Sequence, residues 1–111
     1  MARKRYVHEL ELRPFAPGDY DDLRRVMNAA YPKMGGAWTR AQYDAMLARF
    51  PEGQLCVEDK GRVVAGALSL IIDYSRYGDR HTYKDIVGDG DLKNHDPDGD
   101  YLYGIDIFVA P

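Results

Sequence analysis

Cysteine is almost missing from this sequence. Cys56 stands alone among 111 residues, which excludes an intrachain disulfide and a cysteine-rich zinc centre. No stretch approaches the roughly 18 consecutive apolar residues of a membrane helix. The basic start, Met1-Ala2-Arg3-Lys4-Arg5, is not followed by an apolar run of signal-peptide length. Together these absences predict a cytoplasmic protein without a membrane partner. Histidine is scarce as well, and His8, His81 and His95 lack a second ligand at helical or hairpin spacing, so no metal is expected. The segment Asn94-His95-Asp96-Pro97-Asp98-Gly99 begins like a calcium loop, but Ile105 stands where the bidentate glutamate belongs. A Gly-x-Ser-x-Gly elbow is lacking, which argues against a hydrolase nucleophile in this stretch. Basic charge is not in excess either: the net charge is −3, so no nucleic-acid partner is expected.

What the chain does have is core material. Hydrophobic residues make up 45% and aromatics 12%, enough for one packed domain rather than a disordered segment. Charge is unevenly spread. Residues 73–100 carry eight Asp against two Arg and two Lys, a balance of −4, which leaves +1 elsewhere.

Taken in order, Glu9-Leu10-Glu11-Leu12-Arg13 alternates like a half-buried strand and stops at Pro14 and Pro17-Gly18. Asp19 is the expected N-cap of a helix whose apolar face is Leu23, Val26, Met27 and Ala30, spaced i, i+3, i+4, i+7. Pro32 and Gly35-Gly36 end it. Thr39 and Gln42 form a capping box for a second helix that buries Tyr43, Met46, Leu47 and Phe50. Gln54 to Glu58 predicts a short strand, Asp59-Lys60-Gly61 a turn, and Arg62 to Ile72 a longer, nearly apolar strand. Within it Gly66 signals a bulge or a close backbone approach. Residues 73–100 predict a long acidic loop.

The closing stretch, Tyr101 to Ala110, is aromatic and β-branched, with Tyr101, Tyr103, Ile105, Ile107 and Val109 on one alternating face and Leu102 and Phe108 on the other. Apolar groups on both faces predict a central strand covered on both sides. The strand meets the end of the sequence, so we expect the chain to be the front part of a domain that continues after Pro111. The predicted class is α+β, a mainly antiparallel sheet in the order β-α-α-β-β-β.

Three stretches of this pattern resemble the first half of the GCN5-related N-acetyltransferase (GNAT) fold. They are Glu11-Leu12-Arg13-Pro14-Phe15 with Asp19 and Tyr20; Val64-Ala65-Gly66; and Tyr103-Gly104-Ile105-Asp106-Ile107-Phe108-Val109-Ala110-Pro111, which resembles the family's fourth strand. A narrower similarity, to GNAT domains beside carbon–nitrogen hydrolases (nitrilase-like), lies in Trp38-Thr39, Phe50-Pro51-Glu52-Gly53-Gln54-Leu55 and His95-Asp96-Pro97-Asp98-Gly99-Asp100.

The resemblance implies an N-acetyltransferase with acetyl-CoA as co-substrate and a small-molecule or peptide amine as acceptor. It also implies a nitrilase-like partner or a second copy of the chain as associates. The alternative is a non-catalytic binding or regulatory module on the same fold. The family's glycine-rich pyrophosphate loop would follow Pro111, so the 111 residues alone are expected to be inactive.

By the same resemblance, main-chain groups of Ile107, Phe108 and Val109 would hold the thioester arm, and Tyr31, Met34 and Trp38 would line the acceptor pocket. Tyr103 and Asp106 are the catalytic candidates. A phenol with a pKa of about 10 is a poor base, so Tyr103 suits ordering a water or the acceptor. Asp106 is a carboxylate in an apolar run, which is costly unless paired; it suits a general base or substrate anchor, or else an internal hydrogen bond or salt bridge. Three positions apart, the two point to opposite faces unless a bulge intervenes.

Overall fold

The computed structural model describes residues 7–32 and 36–111. Four antiparallel strands lie side by side in chain order: β1 (Leu10–Pro14), β2 (Leu55–Asp59), β3 (Arg62–Ile72) and β4 (Tyr101–Val109). Helices α1 (Tyr20–Ala30) and α2 (Arg40–Arg49) link β1 to β2, and a short α3 (Tyr83–Val87) precedes β4. The α+β class and the order of the main elements are those the sequence predicts.

The helices form for the reasons their spacing gives. α1 buries Leu23, Val26 and Met27, and α2 buries Tyr43 and Met46. At the start of α2, Thr39 Oγ1 accepts the Gln42 N–H while Gln42 Oε1 accepts the Thr39 N–H, so two orphan donors are satisfied reciprocally. Asp19 behaves otherwise than expected. Its carboxylate does not cap α1; it accepts the Ala16 N–H and both terminal nitrogens of Arg13 at 2.7 and 3.0 Å. That bidentate guanidinium pairing holds the Asp19 carboxyl below the usual carboxylate range.

Between β2 and β3, Lys60 and Gly61 both take positive φ, 52° and 84°, the two-residue turn whose twist suits a hairpin. At Gly66 the ladder is regular, so the close-approach reading holds: a Cβ there would lie 2.5 Å from the Phe108 ring and 2.8 Å from Phe15. Gln54 is fully buried. Its amide donates to the Phe50 and Ser69 carbonyls and accepts the Ser69 N–H, so a side chain serves Ser69 where β2 has already ended.

Two expectations need correction. Residues 73–100 are not a plain loop. Thr82 Oγ1 accepts the Asp85 N–H and opens α3, and Ile86, Val87 and Leu92 from this segment are core residues. β4, in turn, is covered by the described elements on one side only. It lies at the edge of the described sheet, and Leu102, Ile107 and Val109 are more than 60% exposed. They share a face with Leu12, Val57 and Ala65 that no described element covers. The helices cover only the other face.

β4 also carries an irregularity. Leu68 pairs with Asp106 but Ser69 pairs with Gly104, so Ile105 is an extra residue with no partner on β3. This bulge resets the alternation. Tyr101, Tyr103, Asp106 and Phe108 lie opposite Ile72, Leu70, Leu68 and Gly66 on the helix-covered face, while Ile107 and Val109 turn to the open one.

Candidate functional site

The bulge brings Tyr103 and Asp106 to one face, the condition under which both could serve one site. Only Asp106 reaches the cavity there. A hollow of about 540 Å³ is lined by Met27, Tyr31, Gly36, Ala37, Trp38, Gln42, Tyr83, Ile105 and Asp106. Tyr103 lies outside it and meets the His81 ring edge-on at 5.7 Å. Of the residues expected to contact substrate, Tyr31 and Trp38 therefore join Asp106 in one wall, and Met34 lies outside the described residues.

Each wall residue is held by a different element. Tyr31 ends α1, and its hydroxyl donates to the Ile107 carbonyl of β4. Trp38 lies just before the α2 cap; its carbonyl accepts the Tyr20 hydroxyl at 2.7 Å. Gly90 lets the chain pass under that indole, since a Cβ would lie 2.7 Å from the ring, and its φ of +79° favours glycine in any case. Gln42, from the capping box, donates to the Asp89 carbonyl and ties the same loop down. Tyr83 is a wall residue that the motif reasoning missed. Its hydroxyl donates to the Ile105 carbonyl at 3.1 Å, so the bulged residue's carbonyl is satisfied without a strand. A Thr-x-x-Asp cap ahead of the apolar pair Ile86-Val87 was the sequence signal for the helix that carries it.

Electrostatically the site centres on Asp106. Burial raises its carboxyl above the ordinary 3.8, opposed by the Trp38 indole N–H and the Ile107 main chain. The buried Trp38 N–H makes no hydrogen bond of ordinary geometry; it lies near enough to favour the ionised carboxylate without binding it closely. Burial, then the Asp106 charge, likewise raises the Tyr83 phenol, which stays protonated at neutral pH. Cys56, pushed up to about 11 by burial, is an inert core thiol.

The main chain of β4 divides the three residues expected to hold a thioester arm. Ala110 N–H donates to Val64 O. Because bonding alternates along an antiparallel pair, Phe108 then turns its N–H and C=O towards β3, whereas Ile107 and Val109 turn theirs to the free edge. Phe108 is therefore a core residue, stacked on Phe15 with 6.4 Å between ring centroids. Its main chain is spent on the sheet. Ile107 and Val109 keep the edge groups, with the Ile107 carbonyl already taken by Tyr31.

This architecture is that of a GNAT-like domain. The chain superposes on the GNAT-like decarboxylase GphF in complex with isobutyryl-CoA with a TM-score of 0.69 at 24% identity, over 91% of this chain and 49% of that one. It superposes on the loading GNATL domain of CurA from Lyngbya majuscula with a TM-score of 0.74 at 17% identity, over 93% and 49%. In sequence it is 36% identical over 107 residues to the "Probable hydrolase YhcX" of Bacillus subtilis (strain 168), covering 96% of this chain and 21% of that protein. It is 29% identical over 118 residues to the "Uncharacterized N-acetyltransferase YkwB" of the same organism, covering 98% and 52%. The chain thus spans about a fifth and about half of the length of these two relatives. No family model matches it. Among the described residues no helix is long and apolar enough to cross a membrane.

Proposed function

We propose that this chain is the acceptor-side part of an acyl-CoA-dependent N-acyltransferase domain, acting on an amine and transferring an acetyl group. The observation that carries the reading is the bulge at Ile105. It aims a carboxyl of raised pKa into a cavity, and further along the same free edge the main-chain groups of Val109 stay open. An amide-bearing arm pairs with such an edge as an added strand does, so the residues present fit an acyl-CoA. The thioester, when bound, supplies the acyl group in activated form.

The chain's own part is then definable. Asp106 takes one proton from the ammonium so that the neutral nitrogen can attack; as the C–N bond forms and the C–S bond breaks, the second proton of that nitrogen passes to the departing thiolate, and Asp106 then returns its proton to solvent. A carboxylate lifted towards neutrality by burial is a better acceptor for that proton than an exposed one. Edge N–H groups can donate to the carbonyl oxygen as charge develops on it. Tyr31, Trp38 and Tyr83 wall the site and keep water from competing. Tyr103, beyond the wall, supports the loop through His81. The test is thiol release by the intact protein across a panel of amines with acetyl-CoA. Turnover with at least one amine supports the reading, and none with any would end it.

A second reading has its own support. The chain matches a fifth of a protein named as a hydrolase, which favours a non-catalytic module serving a nitrilase-like partner enzyme. Under that reading, deletion of the domain from the intact protein changes hydrolysis while no amine yields thiol.

A further inference from the structure

We infer that the cavity selects a small monoamine, bound as its ammonium ion, that carries an aromatic or branched apolar group and no anionic group. The inference deepens the acyltransferase reading by naming its acceptor, but binding of the amine requires no acyl donor.

Three features point to this class. First, the wall is made of the rings of Tyr31, Trp38 and Tyr83 with Met27 and Ile105. A cation over such faces is attracted by the ring quadrupoles, and an apolar substituent loses its hydration there. Second, Asp106 is the only carboxylate, and no Lys, Arg or His stands beside it, among the described lining residues. A partly buried carboxylate without a cationic partner is costly, and an ammonium supplies the missing charge. A second carboxylate, as in an amino acid, would meet repulsion with no cation among the described lining residues to offset it. Third, few other polar groups are free to bind. The Tyr31 and Tyr83 hydroxyls are directed to the Ile107 and Ile105 carbonyls. Gln42 has its oxygen on the Thr39 N–H and its nitrogen on the Asp89 carbonyl. The side-chain donor that remains among the described lining residues is the buried Trp38 N–H beside the Asp106 carboxylate. Polyhydroxylated acceptors such as aminosugars would leave most of their hydroxyl oxygens without a side-chain donor among the described lining residues. The volume of about 540 Å³ falls within the roughly 300–1,000 Å³ of small-molecule sites.

Calorimetric titration of the intact protein, without acyl donor, tests the inference with three probes that share one ring: 2-phenylethylamine, phenylalanine and 2-phenylethanol. The amine should bind on the order of ten-fold tighter than either of the others. Asp106→Asn, which keeps the shape and removes the charge, should abolish the preference of amine over alcohol. Equal affinity for phenylalanine, or an Asp106→Asn protein that still prefers the amine, overturns the inference. Thiol release with acetyl-CoA separates the two levels. Binding without turnover leaves the ligand class standing and removes the acyltransferase reading. Turnover of a polyamine or peptide amine, with 2-phenylethylamine unbound, does the reverse.

Discussion

Replacing Gln54 by leucine tests how the sheet beside the site is held. The side chain is fully buried. Its Nε2 reaches the Phe50 carbonyl and the Ser69 carbonyl, each at 2.8 Å, and its Oε1 takes the Ser69 N–H at 3.0 Å. Leucine matches the volume but returns none of these bonds. The Phe50 carbonyl keeps a second donor, the Gly53 N–H at 3.2 Å, so the main losses fall on Ser69. At about 1–3 kcal/mol for each of the two buried Ser69 groups left unpaired, the cost is about 2–6 kcal/mol. That is a large share of the roughly 5–15 kcal/mol by which a domain is stable. Gln54→Glu should be at least as damaging, since it sets carboxylate oxygens against two carbonyls. Urea unfolding of the intact protein followed by circular dichroism gives the number. A change of Gln54→Leu within about 0.5 kcal/mol of wild type, the range of ordinary surface substitutions, would refute the reasoning. Ser69 faces Gly104, next to the bulge, so thiol release should fall together with stability.

Other consequences follow from single contacts. Gly66→Ala sets a methyl 2.5 Å from the buried Phe108 ring and should cost about 1–3 kcal/mol in the same unfolding assay. Gly90→Ala places a Cβ 2.7 Å from the Trp38 ring at a φ of +79°; quenching of the single tryptophan's fluorescence by acrylamide should rise as the indole is displaced. His95 accepts the Ile71 N–H through Nδ1 and stacks on Phe50, and burial lowers its pKa from 6.5. The unfolded chain therefore binds the proton more readily than the folded one. Stability is full above about 6.5 and falls as pH drops below it towards the folded value. His95→Asn, which keeps an acceptor but does not titrate, should flatten that limb of a melting-temperature profile.

The local elements were legible because their signals are local. Apolar spacing fixed the buried faces of α1 and α2, a capping box fixed the start of α2, and Lys60-Gly61 supplied the φ values of the hairpin turn. What was hidden depends on distant partners. Nothing in Tyr103-Gly104-Ile105-Asp106 says which residue β3 will skip, and that skip decides where Asp106 points. Asp19 has the chemistry of an N-cap, yet the guanidinium of Arg13 and the Ala16 N–H claim its carboxylate. The two apolar faces of Tyr101–Val109 suggested cover on both sides, while the described fold covers one. Tyr31 and Trp38 entered the site by resemblance. Tyr83 escaped because its role rests on a single hydroxyl reaching across to β4.

The central claim is that the bulge delivers Asp106 as the proton acceptor for acyl transfer. Steady-state thiol release by the intact protein, wild type against Asp106→Asn, measures this with the best amine of the panel. The expected result is a kcat lower by about 10²–10⁴-fold, with the KM for the acyl donor unchanged. A kcat equal to wild type would contradict it.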